Sequence, residues 1–363
     1  MSLKDEYGLR SGGYVVFEGI RGSRLYGLET ETSDTDTHAL FIAPQDWLYG
    51  MRKNYPVVIQ SKKKDDTWDE LEKFVIELSQ SNPNSLELLF TPPSLIMTYN
   101  PVLDPLFEIR EEVITKECFK SFGNYAKDQI RKAKSENKAM NTDPQEVKER
   151  KSPLHFCNVI EGCKSIPLDK WLMDRGLQQE YCGLVRLPRG IELYALYYDE
   201  SGGYRGILDP TNPTTQLRLS SIPEGEKSLC SFQFNVNAYS DHCNKYKRYW
   251  DWVENRNEER FVLNKDYGFN AKNLSQAVRL FNVAIEMAEG KGLIIDRRNI
   301  DRDLLLSIKN HGMSYDEIIA YIESLKEKMD TAFKNSKLPD FPDKEKLERI
   351  LIKIRRDFYG SKS

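Results

Sequence analysis

Residues 22–44 read GSRLYGLETETSDTDTHALFIAP and constrain this chain more than any other stretch. Gly22-Ser23 marks a turn that opens a short helical segment. Asp34 and Asp36 stand one residue apart, and the apolar run HALFIAP then reads as a buried strand. On an extended strand, residues i and i+2 share a face, so Asp34 and Asp36 aim two carboxylates at one point. Two hard oxygen donors suit a Mg²⁺ that carries a nucleoside triphosphate. The turn adds backbone N–H groups and a hydroxyl at a helix N-terminus, where phosphate binds well. Asx- and Thr-rich segments also form plain turns. Specificity comes from the order: turn, helix, paired acids, strand.

That order resembles the DNA polymerase beta-like nucleotidyltransferase superfamily, whose motif is a Gly-Ser pair followed by D-x-D on a strand. Within it, the chain resembles the nucleotidyltransferases associated with RNA repair called RlaP. Residues 65–90 (DDTWDELEKFVIELSQSNPNSLELLF), 267–281 (YGFNAKNLSQAVRLF) and 304–318 (LLLSIKNHGMSYDEI) carry the likeness further, and it is poor between 140 and 260. The resemblance implies transfer of a nucleoside monophosphate from a triphosphate to an acceptor hydroxyl, with pyrophosphate released. It implies Mg²⁺ (or Mn²⁺) as cofactor and RNA, in repair, as acceptor. Superfamily members also modify proteins and small molecules, and a degenerate member that only holds nucleotide or RNA is the alternative.

Such chemistry needs three carboxylates, a phosphate cradle and cations for the triphosphate. Asp34 and Asp36 are the first two. The third is expected on a neighbouring strand, at Asp65 or Asp66 after the apolar run YPVVIQ, with Glu70 as a further choice. The resemblance favours Asp65, giving Asp34, Asp36 and Asp65 as the metal set. A shift of one residue would flip the face, and the same acid pair would also suit a helix N-terminus. Gly22, Ser23 and Arg24 are expected to line the nucleotide pocket, with Tyr26 in pocket or core and His38 facing the site or ending a turn. Lys272, Gln276 and Arg279, at i, i+4 and i+7, set an ammonium, an amide and a guanidinium on one helical face. That face could grip triphosphate oxygens or base edges, or simply be solvated. The family often has a His where this chain has Gln276.

The 53 Lys and Arg against 56 Asp and Glu give a net charge of −3, which excludes a strongly basic nucleic-acid coat but not a local patch. No apolar run approaches a membrane span. The start MSLKDEYGLR has no apolar signal region, so a cytoplasmic protein is expected. Six cysteines form no C-x-x-C and read as free buried thiols. His155, Cys157, Cys163 and Cys182 fit no standard zinc spacing.

The fold class expected is α+β. Residues 1–103 form a small mixed-sheet catalytic core, in the order strand, helix, strand, strand, helix. The helix WDELEKFVIELSQS carries Leu71, Phe74, Val75 and Leu78 on one face and ends at Asn82-Pro83-Asn84, with Ser85 or Asn84 capping the next. Residues 104–139 form a helical basic segment with Lys120, Lys127, Arg131, Lys132 and Lys134 among Phe119, Phe122 and Tyr125. Residues 140–260 form an inserted α+β subdomain whose KYKRYWDW run either stacks bases or half-buries itself. Residues 261–363 form a helical domain, with helices over 271–288, 314–335 and 343–358.

Overall fold

The computed structural model describes residues 5, 7–31, 33–51, 55–61, 65–140, 149–208, 217–255, 262, 264 and 266–361. It is a mixed α+β protein of two compact units, residues 1–140 with 258–363, and residues 141–257. The first unit contains a sheet of β1 (Val15–Arg21), β2 (Asp36–Phe41), β3 (Val58–Gln60), β4 (Asp66–Glu70) and β5 (Ile96–Tyr99), in the order β3-β4-β2-β1-β5. Only β2 and β4 run parallel; the other pairs are antiparallel. Its helices begin with α1 (Gln45–Tyr49), α2 (Leu71–Leu78), α3 (Pro83–Leu89), α4 (Asp104–Glu108) and α5 (Glu117–Met140).

Strand alternation gives this sheet two apolar faces. Phe17, Leu40 and Ile42 join the main core, to which α2 adds Leu71, Phe74, Val75 and Leu78. Burial of each such side chain contributes about 1.5–3 kcal/mol. Ala39, Phe41 and Trp68 face the other way, under Leu9 and Trp47. The apolar face of α2 is the expected one, but the helix starts at Leu71. Trp68, Asp69 and Glu70, expected to open that helix, instead belong to β4, a strand whose five residues are all buried. The next helix, α3, is capped by Asn82 and not by Asn84 or Ser85: the Asn82 side chain accepts from Asn84 N, with Pro83 at the first helical position.

The second unit carries a sheet in the order β7-β6-β10-β9-β8, from β6 (Cys157–Glu161), β7 (Lys164–Pro167), β8 (Cys182–Arg186), β9 (Leu193–Tyr198) and β10 (Cys230–Phe234). Its helices are α6 (Leu168–Asp174) and α7 (Val236–Asn255). Its core gathers Trp171, Leu184, Leu196, Phe232 and Tyr239. All six cysteines are free thiols; Cys118, Cys157 and Cys182 are buried, and Cys163 is exposed.

Four helices complete the first unit: α8 (Ala271–Ala288), α9 (Arg302–Lys309), α10 (Tyr315–Asn335) and α11 (Lys344–Gly360). A capping box at Ser314 and Glu317 starts α10. Helix α5 buries Phe122 in the main core, while Lys120 pairs with Glu117 and Arg131 with Asp128 on its surface. No helix among the described residues is long and apolar enough to cross a membrane.

Candidate active site

Strand β1 ends at Arg21, and the chain then turns. Gly22 and Gly27 hold φ of +70° and +67°, a region that other residues avoid. Leu25 N donates to Gly22 O (3.1 Å) and Leu28 N to Ser23 O (2.8 Å). Residues 22–27 are therefore a run of turns and not the expected helical segment, because a left-handed residue at each end stops a helix from propagating. Phosphate binding here has no helix dipole to draw on.

Gly22 lies directly against Asp36. A Cβ at position 22 would overlap Asp36 Oδ2. Gly22→Ala is expected to displace that carboxylate and strain the turn, costing about 1–2 kcal/mol of stability and about 10²-fold in any reaction that depends on it. Thermal melting and a transfer assay check the two effects separately.

Asp34 is exposed just ahead of β2, and Asp36, half-buried, opens that strand opposite Arg21 of β1. Thr37 pairs with Asp66 of β4, and Thr37 N donates to Asp65 O (2.8 Å). Asp65 therefore stands level with Asp36. Burial pushes the Asp36 carboxyl above the ordinary carboxylate range. The Asp65 and Asp34 charges push the same way, and Arg21 and Lys272 oppose them. Three acids and two cations thus act on one point.

Asp66 is not among those acids. It faces the opposite side of the sheet, where its Oδ1 accepts from Thr37 Oγ1 at 2.7 Å. Alternation along a strand makes the neighbours Asp65 and Asp66 diverge. Glu70 sits at the far end of β4, capping α2 through Glu72 N and bound to Arg355 Nη2 at 2.9 Å.

Arg24 Nη2 donates to Ser33 O (3.1 Å), tying the turn to the residue before Asp34. Ser23 is half-buried in the turn, and Tyr26 packs against the main core. Helix α8 starts at the Asn270 cap, so Lys272 is exposed in its first turn and Gln276 half-buried one turn on. Arg279 does not share their open face. It is buried, with Nη1 donating to buried Glu87 Oε1 (2.5 Å) and its guanidinium 3.7 Å from the Tyr26 ring centroid. Seven residues advance a helix about 10 Å along its axis, which carries Arg279 past the site and into the core.

Sequence reasoning missed Arg21, although its place just before Gly22-Ser23 was a signal. It also missed Asp69. His38 is on the Asp36 side of β2, buried, and donates from Nε2 to Asp69 Oδ2 (2.9 Å). Asp69 accepts from Lys73 as well (3.0 Å), and Lys73 reaches Glu77 (2.7 Å). Burial alone would raise the Asp69 pKa; the His38 hydrogen bond and the Lys73 charge outweigh it and hold the carboxyl below its ordinary value.

No three His, Cys, Asp or Glu side chains among the described residues already form a metal cage. Mg²⁺ needs none, since it takes one or two carboxylates and completes its shell with water and substrate phosphates. The half-buried Asp36 carboxylate, crowded by Asp34 and Asp65, fits such a hard cation in charge and in donor type.

A family model, RlaP, described as an RNA repair pathway DNA polymerase beta family, matches residues 5–157. Over that segment the resemblance drawn from the Gly-Ser, D-x-D and Asn-Pro-Asn stretches holds; the stretches 267–281 and 304–318 lie outside it. The match supports a polymerase beta-like nucleotidyltransferase of RNA repair at the level of the family. No curated protein and no solved structure matches the chain.

Proposed function

We propose, from a segment of polymerase beta type, that this protein transfers a nucleoside monophosphate from a nucleoside triphosphate to a hydroxyl of RNA. The acceptor oxygen bonds to the α-phosphorus as the bond to the β-phosphate oxygen breaks, and pyrophosphate leaves. One arrangement carries the reading: Asp65 stands level with Asp36 across β4 and β2, and Asp34, Arg21 and Lys272 also act on the Asp36 carboxyl. Asp34 and Asp36 would hold a Mg²⁺ or Mn²⁺, with Asp65 nearest the acceptor. The ion supplies charge to offset the triphosphate and to acidify a bound hydroxyl. Lys272 meets the negative phosphates from the first turn of α8, and Arg21 from the end of β1. Gly22 leaves room for the Asp36 carboxylate, and Arg24 fixes the loop that presents Asp34. Triphosphate and RNA together suit a cytoplasmic protein.

Incubation with α-labelled triphosphates, Mg²⁺ or Mn²⁺, and RNA bearing a free 3′-hydroxyl tests this. Label on RNA with matching pyrophosphate release supports it, whereas label on protein makes a protein the acceptor. The two candidate third acids should separate. Asp65→Asn is expected to cut transfer by about 10²–10³-fold. Asp66→Asn should leave the rate near wild type and only weaken the Thr37 bond, by about 1 kcal/mol. The reverse ranking would move the third ligand to Asp66.

A further inference from the structure

Away from the carboxylates, a groove of about 280 Å³ opens between the end of α5 and the start of α10, lined by Ala133, Lys134, Gly268, Phe269 and Tyr315. Its walls are aromatic. Phe269 packs against Tyr315 with centroids 5.6 Å apart and meets His311 edge-on at 4.9 Å; His311 in turn stacks on Tyr267 at 4.3 Å. Gly268 leaves one side open, since a Cβ there would touch nothing within 4 Å. Lys134 Nζ stands 6.0 Å over the Tyr315 ring, a cation at an aromatic face.

Two buried polar atoms lack partners among the described residues: Tyr315 Oη, on a residue that lines the groove, and His311 Nδ1, on the ring packed against Phe269. Leaving such groups unpaired is costly in a folded protein. His311 is held by Nε2 at Asn264 Oδ1 (3.1 Å), at a φ of +60°. Burial holds its pKa below the ordinary value, so the ring is neutral at pH 7. A neutral imidazole and a phenol can each donate or accept.

Gly268 and Phe269 run straight into Asn270, the cap of α8, and Lys272 follows in the first turn. The groove and the cation that acts on Asp36 are thus joined by four residues of chain. A flat, hydrogen-bonding, aromatic ligand with phosphates attached matches that arrangement. We infer that this groove takes the nucleobase of the nucleoside triphosphate, with Phe269 and Tyr315 as its apolar walls and the Tyr315 hydroxyl reading its edge. The inference rests on the nucleotidyltransferase reading above and assigns the base half of that substrate.

Calorimetry with ATP and with inorganic tripolyphosphate, each with Mn²⁺, separates base from phosphate. Tyr315→Ala is expected to weaken ATP binding about tenfold and to leave tripolyphosphate binding as it was. Tyr315→Phe, which removes only an unpaired hydroxyl and so spares the fold, should weaken ATP by a smaller factor. Unchanged ATP binding in both variants overturns the inference. Photolabelling of the wild type with 8-azido-ATP does not depend on any variant folding. Label on the peptides spanning 266–269 or 311–315 supports the groove, and label confined elsewhere overturns it. The two readings fail separately. Label in the groove with transfer that survives Asp34→Ala and Asp36→Ala together refutes the catalytic acids. Loss of transfer in that double variant with label elsewhere refutes the groove.

Discussion

Asp36→Asn is expected to lower nucleotide transfer by about 10³-fold or more, while the protein melts no lower than wild type at pH 7. The two effects have one origin. Asp36 is half-buried, with Asp34 and Asp65 as neighbouring like charges, and Arg21 and Lys272 compensate only in part. Its folded-state pKa therefore lies above the ordinary value. An acid shifted that way is favoured by folding when protonated, and that contribution is lost as pH rises through the folded pKa. The amide removes the penalty, so the variant should hold a stability advantage at pH 7 that closes below about pH 4. Melting curves across pH, read beside a transfer assay, check both halves. A fall in stability at pH 7 would mean that Asp36 serves the fold and not the reaction.

The largest effect on stability is expected at Glu87, out of the site but tied to it. Glu87 Oε1 accepts from Arg279 and Oε2 from the Tyr26 hydroxyl, both at 2.5 Å, and Arg279 and Glu87 are each only 4% exposed at the side chain. Glu87→Ala strands a buried guanidinium and a phenol at once, a loss of about 3–5 kcal/mol, or roughly 10 °C in melting temperature for a unit of this size. Glu87→Leu combined with Arg279→Met should recover much of that loss, because the cost lies in the uncompensated charge. Tyr26 belongs to the turn that follows Gly22-Ser23, so the single variant should also lower transfer by loosening that turn. Denaturant melts of the two variants decide it. Equal stability in single and double variants would rule the ion pair out as the cause.

What could be read from residues alone follows from where the determining contacts lie. Helices α2, α8, α10 and α11 were legible because their apolar stripes and caps are local. Asp34 and Asp36 share a face by the i, i+2 rule only within one strand, whereas β2 begins at Asp36 and Asp34 stands just ahead of it. Strand β4 was not legible. Three of its five residues, DTWDE, are acids, and every one of the five is buried. Those acids are tolerated inside only because Thr37 meets Asp66, His38 and Lys73 meet Asp69, and Arg355 meets Glu70 from 285 residues away. Partners that distant leave no periodic trace. The choice between Asp65 and Asp66 depended on the register of β4 against β2, which is equally non-local. Arg279 misled for another reason. Helical spacing gives the side of a helix but not the depth to which that side is buried.

One experiment bears most directly on the acids: a crystal of the protein soaked with Mn²⁺ and a non-hydrolysable nucleoside triphosphate, with the metal located by its anomalous signal. A manganese peak bound by Asp34 and Asp36, with triphosphate oxygens completing its shell and Lys272 facing the phosphates, is the expected result. A peak bound elsewhere, or a triphosphate seated away from Gly22 and Asp36, would contradict it.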